Sequence, residues 1–288
     1  MKHPKLLVAG AGGLNGRLLL KKLAENNIPV RAMVRNKEST KELENETTEI
    51  VEADLSNPAT LDKAFDSIEQ AYIVTAVHPD AAAYFSNFFQ AAKKAGVKHV
   101  IKLSGLGASA DSPSEILRQH YQSDAQLTQS GLDFTVIQPN SFFQNILGQA
   151  RAIQRKGRFG MLLGEASQSL VDMNDVAEAT VRIVQDKSHR NKIYPLTGPE
   201  SISGNDIAEQ LATFLEKPVR YKPVSGTLAK QEMLAGGLPE WNANALVEIM
   251  ELFATGAFQE TTSDLENILD RRPNRFADFV TENRAVFF

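Results

Sequence analysis

The sequence predicts an α/β protein in which a Rossmann-type, doubly wound parallel sheet is followed by a smaller α/β lobe. Up to about residue 140, short apolar runs typical of strands alternate with segments typical of helices, the rhythm of a parallel sheet with crossover helices. Glycines at positions 10, 12, 13 and 16 follow the first run and open the first helix. The length of 288 residues leaves room for one large core and a second lobe.

The alternation can be followed from one element to the next. The expected strands are short and apolar, as strands covered on both faces are, and they occupy residues 5–9, 30–34, 49–53, 71–75, 99–103 and 133–138. Helices are expected between them, at residues 16–26, 58–66, 80–95 and 114–130. Asn57 and Pro58 supply an N-cap and a first-turn proline for the second of these helices.

Beyond Pro139 the pattern becomes less regular, and glycines at positions 157, 160 and 164 indicate a loop-rich lobe. We therefore expect residues 1–140 to form the Rossmann domain. Residues 141–288 are expected to form mainly the C-terminal lobe, with residues 171–197 returning to the Rossmann core.

Three elements are expected in this second half. Residues 174–184 are predicted to form a helix capped by Asn174, and residues 192–196 a strand. A helix over residues 203–216 is predicted to begin with a capping box made by Ser203 and Asp206.

Composition excludes several classes of function. The net charge of -4, from 31 basic and 35 acidic residues, includes no basic cluster suited to nucleic acid or a membrane surface. The chain has no cysteine, which excludes disulfides, thiolate metal sites and a cysteine nucleophile and suits a cytoplasmic location. No apolar run reaches the roughly 18 residues of a membrane span, and the histidines lack metal-ligand spacing, so no metal is expected.

The glycine cluster has the spacing and the position of a phosphate-binding loop. It reads Gly10-Ala11-Gly12-Gly13-Leu14-Asn15-Gly16. Glycine permits a tight turn and lets backbone N–H groups approach a pyrophosphate, while the helix N-terminus adds a partial positive charge. The glycines could alternatively shape the turn without binding anything. We interpret the loop as part of a dinucleotide site.

The end of the second predicted strand indicates which dinucleotide is bound. An acidic residue about 20 positions after the loop usually holds the adenosine ribose 2′-hydroxyl. Here the strand ends Met33-Val34-Arg35-Asn36. Arg35 can pair with a 2′-phosphate, which a carboxylate would repel, so NADP(H) is predicted as the preferred cofactor, with NAD(H) as the alternative. Arg35 could otherwise be an ordinary solvated side chain.

Two further strand ends are candidates for cofactor contacts. Asp54 and Leu55 follow the third strand and could contact the adenine edge, although an aspartate there is also a common turn residue. Thr75, Ala76 and Val77 follow the fourth strand, where they would lie along the cofactor at the carboxyl ends of the strands.

Further motifs follow along nearly the whole chain. They are Val30-Arg31-Ala32-Met33-Val34-Arg35, Gly131-Leu132-Asp133-Phe134-Thr135, Gln138-Pro139-Asn140-Ser141-Phe142-Phe143-Gln144-Asn145, Val171-Asp172-Met173-Asn174-Asp175-Val176-Ala177 and Tyr194-Pro195-Leu196-Thr197-Gly198-Pro199-Glu200. Together they resemble the NmrA-like group of atypical short-chain dehydrogenases/reductases, which includes NADPH-dependent quinone reductase-like enzymes and redox-sensing regulators. The resemblance implies a Rossmann domain, an NADP(H) site and a substrate cleft under a small C-terminal lobe. It also implies that Pro139, Asn140, Ser141 and Phe142 contact the cofactor.

The resemblance breaks at the catalytic dyad of the conventional short-chain dehydrogenases. The positions of their Tyr-x-x-x-Lys pair are occupied by Ile116 and His120, while Ser104 remains at the end of the preceding strand. His120 is our catalytic candidate. Asp124 lies one helical turn later and could pair with it, which would keep His120 charged to higher pH, able to hold a quinoid oxygen or donate a proton. The pair could alternatively be a plain helix-surface contact.

Two functions remain open from the sequence. The first is an NADPH-dependent reductase that transfers a hydride to a quinone-like or similar small electron acceptor. The second is a non-catalytic NADP(H) redox sensor that acts through a protein partner, which the missing tyrosine favours. A small-molecule substrate is expected for the enzyme, and the sequence does not indicate an oligomeric state.

Overall fold

The computed structural model of the chain describes residues 5–288. The strands are β1 (Leu6–Ala9), β2 (Val30–Val34), β3 (Thr48–Glu52), β4 (Gln70–Ile73), β5 (His99–Leu103), β6 (Asp133–Pro139), β7 (Arg158–Met161), β8 (Ser167–Gln168), β9 (Lys192–Leu196), β10 (Ile202–Ser203) and β11 (Arg220–Pro223).

The α-helices are α1 (Leu14–Glu25), α2 (Leu61–Ala64), α3 (Ala81–Lys94), α4 (Glu115–Thr128), α5 (Ala150–Lys156), α6 (Met173–Gln185), α7 (Gly204–Leu215), α8 (Gly226–Ala235), α9 (Glu240–Phe253), α10 (Asp264–Leu269), α11 (Phe276–Glu282) and α12 (Arg284–Phe287). Short 3₁₀ helices form at Glu38–Leu43, Pro58–Thr60, Phe143–Gln149 and Lys187–His189.

The main sheet has seven strands in the order β3-β2-β1-β4-β5-β6-β9. The first six strands pair in parallel, which confirms the predicted Rossmann-type α/β fold. The strand order reverses direction between β1 and β4. In open α/β sheets, ligands bind outside the carboxyl ends of the strands at such a switch point.

Most of the predicted elements form within two residues of their expected ends. Two differences matter for the site. The fourth strand ends at Ile73, so Val74 and Thr75 belong to the following loop. The helix predicted over residues 58–66 is reduced to a 3₁₀ turn at Pro58–Thr60 and the short helix α2.

The chain divides into two compact units. The first comprises the described residues up to Ala110, with Gln119–Gln138 and Ala177–Tyr194, and the second comprises Asp111–Arg118, Pro139–Val176 and Pro195–Phe288. Each has its own apolar core. In the first unit, Phe65 and Phe88 meet edge to face with ring centroids 5.0 Å apart. In the second, Phe143 packs against Phe276 and Phe279.

The start of α6 corrects one predicted cap. Asp172, rather than Asn174, is the capping side chain, because its Oδ1 accepts a hydrogen bond of 2.8 Å from the Asn174 N–H. Asp175 is buried one turn further and accepts a bond of 2.7 Å from the Arg271 guanidinium. These two carboxylates therefore anchor the helix start within the second unit, as structural rather than catalytic groups. The capping box of Ser203 and Asp206 is confirmed.

A buried histidine joins β5 to β6 in the first unit. His99 is 1% exposed, and its ring bonds Thr135 Oγ1 at 2.8 Å and Gln70 Oε1 at 3.2 Å. Burial, with a smaller contribution from the Arg190 charge, lowers the pKa of His99 to about 4. The folded protein therefore holds this ring neutral at pH values where the unfolded chain protonates it.

We predict that this linkage destabilises the protein in mild acid. Because the unfolded ring has a pKa near 6.5, stability is complete above that value and is lost as the pH falls towards 4. Between about pH 7.5 and about pH 5, His99 lowers the free energy of unfolding by about 2 kcal/mol. Urea denaturation at both pH values measures this change in the free energy of unfolding. The His99→Gln variant should lose this part of the dependence, whereas the control His78→Gln, at a half-buried position outside β5, should keep it; equal pH dependence in both variants would contradict the assignment.

Candidate functional site

The turn between β1 and α1 is tight because two of its glycines lack a side chain. Gly10 has a φ of +81°, and a Cβ on it would lie 2.3 Å from the Val74 carbonyl oxygen. A Cβ on Gly16 would lie 2.2 Å from the Gly10 carbonyl oxygen. These contacts are far inside van der Waals distance, so both positions require glycine. The turn thereby brings β1, α1 and the loop after β4 together at the switch point of the sheet.

The rest of the loop leaves its backbone accessible. Ala11 is buried, Gly12 and Gly13 are exposed, Asn15 is half-buried, and Leu14 points an exposed side chain outwards at the start of α1. The nearest atom to a Cβ on Gly12 would be Thr40 Cγ2 at 3.5 Å. A ligand can therefore approach the main chain at these two glycines.

The N-terminus of α1 is open to an anion. Its N-cap is Gly13, which makes no side-chain cap, and its first turn has no acidic residue. The first N–H groups of a helix have no intrahelical acceptor. By contrast, α7 and α8 begin with the capping serines Ser203 and Ser225. An uncapped helix start behind two exposed glycines fits the pyrophosphate of a dinucleotide.

Arg17 contributes a further charge beside the loop. Its Nε donates to the Gly12 carbonyl oxygen at 2.9 Å, and its guanidinium pairs with Glu42 at 2.7 Å. Hydrogen bonding to Arg17 lowers the pKa of the Glu42 carboxyl. Arg17 thus ties the 3₁₀ segment Glu38–Leu43 to the glycine loop, which the spacing of the glycines did not predict.

Arg35 and Asp54 lie near each other at the carboxyl ends of β2 and β3. Arg35 is exposed, directly after β2. Asp54 Oδ1 accepts bonds of 2.8 Å from both the backbone N–H and the hydroxyl of Ser56. These bonds lower the pKa of the Asp54 carboxyl, and the Arg35 charge adds to the effect. Asp54 therefore stabilises the turn through Oδ1, and this role does not depend on any contact made by Oδ2.

Tyr84 of α3 belongs to this same edge. Burial raises the pKa of its hydroxyl, the charges of Asp80 and Asp54 add to the rise, and Arg35 opposes it. The His78 ring lies against the Tyr84 ring with centroids 5.0 Å apart. Neither side chain was expected here, because a loop residue and a helix residue become neighbours only once the sheet has formed.

The predicted residues after β3 and β4 lie at the same edge of the sheet. Thr75 and Val77 are half-buried, and Ala76 is exposed. Leu55 is half-buried, and its carbonyl oxygen accepts a bond of 2.8 Å from Asn87. The loop after β4 is thus adjacent to the glycine turn through Val74, as the proposed cofactor path requires.

Four predicted cofactor contacts belong to the second unit. Pro139 and Asn140 are buried, whereas Ser141 and Phe142 are half-buried. The Asn140 amide donates to Ser169 Oγ at 2.9 Å and to the Phe258 carbonyl oxygen at 3.0 Å. Phe142 forms a parallel bridge with Val171. The Asn140 amide therefore holds its own unit together, and a cofactor role for these four residues stays a prediction.

A buried polar cluster lies at the end of β5. Lys102 is fully buried, and its ammonium donates to Asp124 Oδ1 at 2.6 Å. The second oxygen of Asp124 accepts bonds from Ser104 Oγ at 2.8 Å and Gln138 Nε2 at 3.0 Å. His120 Nδ1 lies 3.4 Å from Lys102 Nζ. We call these five residues the Lys102 cluster.

The cluster corrects the expected His120–Asp124 pair. Both Asp124 oxygens are engaged by Lys102, Ser104 and Gln138, so His120 faces a cation instead of a carboxylate. Burial lowers the pKa of the His120 ring well below 6.5, and the Lys102 charge lowers it further. The expectation that His120 stays charged to higher pH is therefore wrong. Ser104 lies in the cluster, and Ile116, at the position of the conventional tyrosine, is buried.

Within residues 5–288, no three His, Cys, Asp or Glu side chains meet in a group that could hold a metal ion. None of the helices in that part of the chain combines the length and apolar character of a membrane span.

Comparison with known proteins adds independent findings. The model of the NAD(P)H-binding family matches residues 10–187. An NAD(P)H azoreductase from Xenophilus azovorans is 34% identical over 98% of this chain and 99% of its own length. Quinone oxidoreductase 2 from Escherichia coli is 24% identical over 96% of this chain and 97% of its own.

Solved structures show the same fold. The NADPH complex of the E. coli quinone oxidoreductase superposes with a TM-score of 0.87 at 24% identity, covering 97% of this chain and 99% of that one. A mutant NmrA superposes with a TM-score of 0.79 at 19% identity, covering 97% and 95% of the two chains. With the family model and the azoreductase, these likenesses confirm the resemblance to NmrA-like NAD(P)-binding proteins.

The glycine turn yields a matched pair of variants. We predict that Gly16→Ala destabilises the fold by about 1–3 kcal/mol or more, because its Cβ must displace backbone, and weakens NADPH binding with it. Gly12→Ala should fold like the parent, since its Cβ meets only Thr40 Cγ2 at 3.5 Å. Thermal unfolding and calorimetric titration with NADPH measure both effects. Equal stability of the two variants would contradict the packing described for Gly16.

Two lysine–aspartate ion pairs with the same nitrogen–oxygen distance offer a second comparison. Lys102–Asp124 and Lys94–Asp62 both measure 2.6 Å, but the first is buried and the second is exposed. Asp124→Ala leaves a buried ammonium unpaired and should destabilise the protein by about 3–5 kcal/mol, whereas Asp62→Ala should change stability by less than about 1 kcal/mol. Urea denaturation compares them, and similar losses for both would show that the Lys102 ammonium is solvated.

Proposed function

Since the chain belongs to the NAD(P)H-binding family and is an NAD(P)H-binding oxidoreductase, we propose that it is an NADPH-dependent reductase of quinone-like or azo-type aromatic electron acceptors. One observation carries the proposal. The open glycine turn and the Lys102 cluster lie at the carboxyl ends of strands of one sheet, on either side of β4. A hydride donor's binding loop and a polar site for an acceptor are thus parts of one unit.

The glycine turn and Arg35 would hold the cofactor. The exposed backbone of Gly12 and Gly13 and the uncapped start of α1 suit the pyrophosphate. Arg35 is exposed where the adenosine ribose would lie, and a guanidinium there favours a 2′-phosphate. When bound, NADPH supplies a hydride. The cytoplasm is the proposed location.

The acceptor chemistry explains why no catalytic tyrosine is needed. Reduction of a quinone to a hydroquinone, or of an azo group to a hydrazo group, takes one hydride and one proton. The anion that a quinone leaves is a phenolate, a weaker base than a simple alkoxide, so a proton from water is sufficient. The nitrogen anion of an azo acceptor is more basic and must take its proton from water as the hydride arrives. We propose that His120 contacts the acceptor heteroatom and orients it for the hydride. The azoreductase relative supports the azo class, and the quinone oxidoreductase supports the quinone class.

We predict NADPH oxidation that depends on the acceptor. Stopped-flow absorbance at the nicotinamide band should show turnover with at least one member of a panel of benzoquinones, naphthoquinones and azo dyes. The same panel without enzyme is the control. A panel in which no acceptor accelerates NADPH oxidation would overturn the proposed reaction.

The absence of a tyrosine at Ile116 favours a redox sensor as the second candidate. A sensor must bind NADP⁺ and NADPH with different affinities and change its affinity for a partner accordingly. Calorimetric titration separates the two candidates. Equal affinities together with turnover support the reductase, and unequal affinities without turnover support the sensor.

Arg35 can be tested separately from turnover. Arg35→Asp should weaken NADPH binding by about 1–3 kcal/mol, the range for losing a charge-assisted contact, and should leave NADH binding unchanged. Arg155→Asp, the same charge change at an exposed position of α5, is the control. Unchanged NADPH affinity in Arg35→Asp would remove Arg35 from the site.

A further inference from the structure

Lys102 is a buried cation without a role in the proposed reaction. Its side chain has 0% exposure. The ammonium has an aspartate oxygen at 2.6 Å, the His120 Nδ1 at 3.4 Å and the centre of the Phe85 ring at 4.5 Å. A fully buried lysine is rare unless it is paired. Here the three neighbours surround the charge with an anion, a lone pair and the negative face of a ring.

The chemistry of an ammonium determines the state of the imidazole beside it. A protonated lysine has three donors and no acceptor, so the ring nitrogen that faces it must be an acceptor. His120 Nδ1 therefore carries the lone pair, and the single proton of the neutral ring lies on Nε2. Within residues 5–288, no group is hydrogen-bonded to Nε2, and the residue is partly exposed. The Nε2–H remains free for an acceptor from outside the chain.

Asp124 holds this arrangement in place without reaching the ring. One oxygen receives Lys102, and the other receives Ser104 and Gln138. Both oxygens of the carboxylate are thus engaged, by Lys102 of β5, by Ser104 directly after β5 and by Gln138 of β6. Rotation of Lys102 away from Asp124 would leave two buried charges unpaired, so the ammonium is fixed where it faces Nδ1.

Few charged groups face His120. Lys102 approaches it from β5, Asp124 of its own helix lies behind Lys102, and α3 contributes the uncharged Phe85 ring, whose centroid is 6.4 Å from that of the imidazole. Burial and the Lys102 charge both lower the pKa of His120. The ring therefore stays neutral in the range where an ordinary histidine titrates.

We propose that Lys102 is a positioning residue that fixes His120 as a neutral Nε2–H donor directed at the electron acceptor. The inference rests on the proposed reductase function for the role of Nε2–H, but the state of the ring is a property of the free protein. A neutral imidazole donor polarises a carbonyl or azo nitrogen by hydrogen bonding without giving up its proton. The donor is then present at the same strength across the whole physiological pH range.

The ring can be observed directly. Long-range ¹H–¹⁵N spectra of protein labelled with ¹⁵N-histidine distinguish the two neutral tautomers and the charged form. The chain has five histidines, and the signal missing from His120→Gln assigns His120. We expect the Nε2–H tautomer at neutral pH and no titration near pH 6.5. An Nδ1–H tautomer, or titration in the ordinary histidine range, would overturn the proposal without any variant of Lys102 being needed.

The double variant Lys102→Met/Asp124→Asn tests whether the Lys102 charge keeps the His120 ring neutral. It removes both buried charges together and keeps an amide for Ser104 and Gln138, so the fold is retained. Removing the Lys102 charge should raise the pKa of His120, although burial still holds it below its ordinary value, and any inflection of kcat from this titration should lie at higher pH than in the parent, with KM changing less than kcat. The exposed lysine variant Lys94→Met is the matched control and should leave the ring and the kcat profile unchanged.

Different results would overturn the proposed reductase function and the proposed role of Lys102. A double variant whose His120 titrates as in the parent would overturn the role of Lys102 even if the enzyme turns over. Absence of turnover with every acceptor would instead remove the reductase function, while the ¹⁵N spectra would still decide the tautomer. Turnover that depends on pH near 6.5 in the parent would contradict a donor held neutral.

Discussion

The site depends on how closely the chain can approach itself between β1 and α1. Gly10 lies against the Val74 carbonyl, and Gly16 lies against the Gly10 carbonyl, at distances where no Cβ fits. This double approach places the first turn of α1 directly above the point where the strand order reverses. Because Gly13 supplies no capping side chain, the helix start keeps its free N–H groups for a ligand. A change at either tight glycine alters the turn, the helix start and the loop after β4 together.

The Lys102 cluster is constrained by electrostatics and not by close packing, because it places charges where water is excluded. Burying a lysine and an aspartate is unfavourable unless each is fully hydrogen-bonded. Here Asp124 receives three donors, and Lys102 has three favourable neighbours. A network whose buried charges are all paired in this way is rigid. That rigidity makes the orientation of the His120 ring a consequence of the fold of the first unit.

The sequence predicted most of the fold because its signals are local. A glycine cluster after a short apolar run, and strands alternating with helices, are visible in any window of the chain. The Lys102 cluster could not be predicted in the same way. The i, i+4 rule favours a His120–Asp124 pair, but a lysine from a neighbouring strand and two further donors occupy the carboxylate. One signal was present: Lys102 interrupts the apolar strand 99–103, and a charge in a buried parallel strand requires a partner.

Conventional short-chain dehydrogenases, which this chain resembles, combine a tyrosine with a lysine whose charge lowers the tyrosine pKa. The Lys102 cluster also places a lysine charge beside the group that would face the acceptor, but with a different result. Beside a phenol, a cation favours the charged phenolate and so makes the phenol a stronger acid. Beside an imidazole, it disfavours the charged form and leaves a neutral donor. A donor of that kind suits an acceptor whose reduced anion is already stabilised by conjugation, because hydride transfer then requires polarisation of the acceptor and not its full protonation.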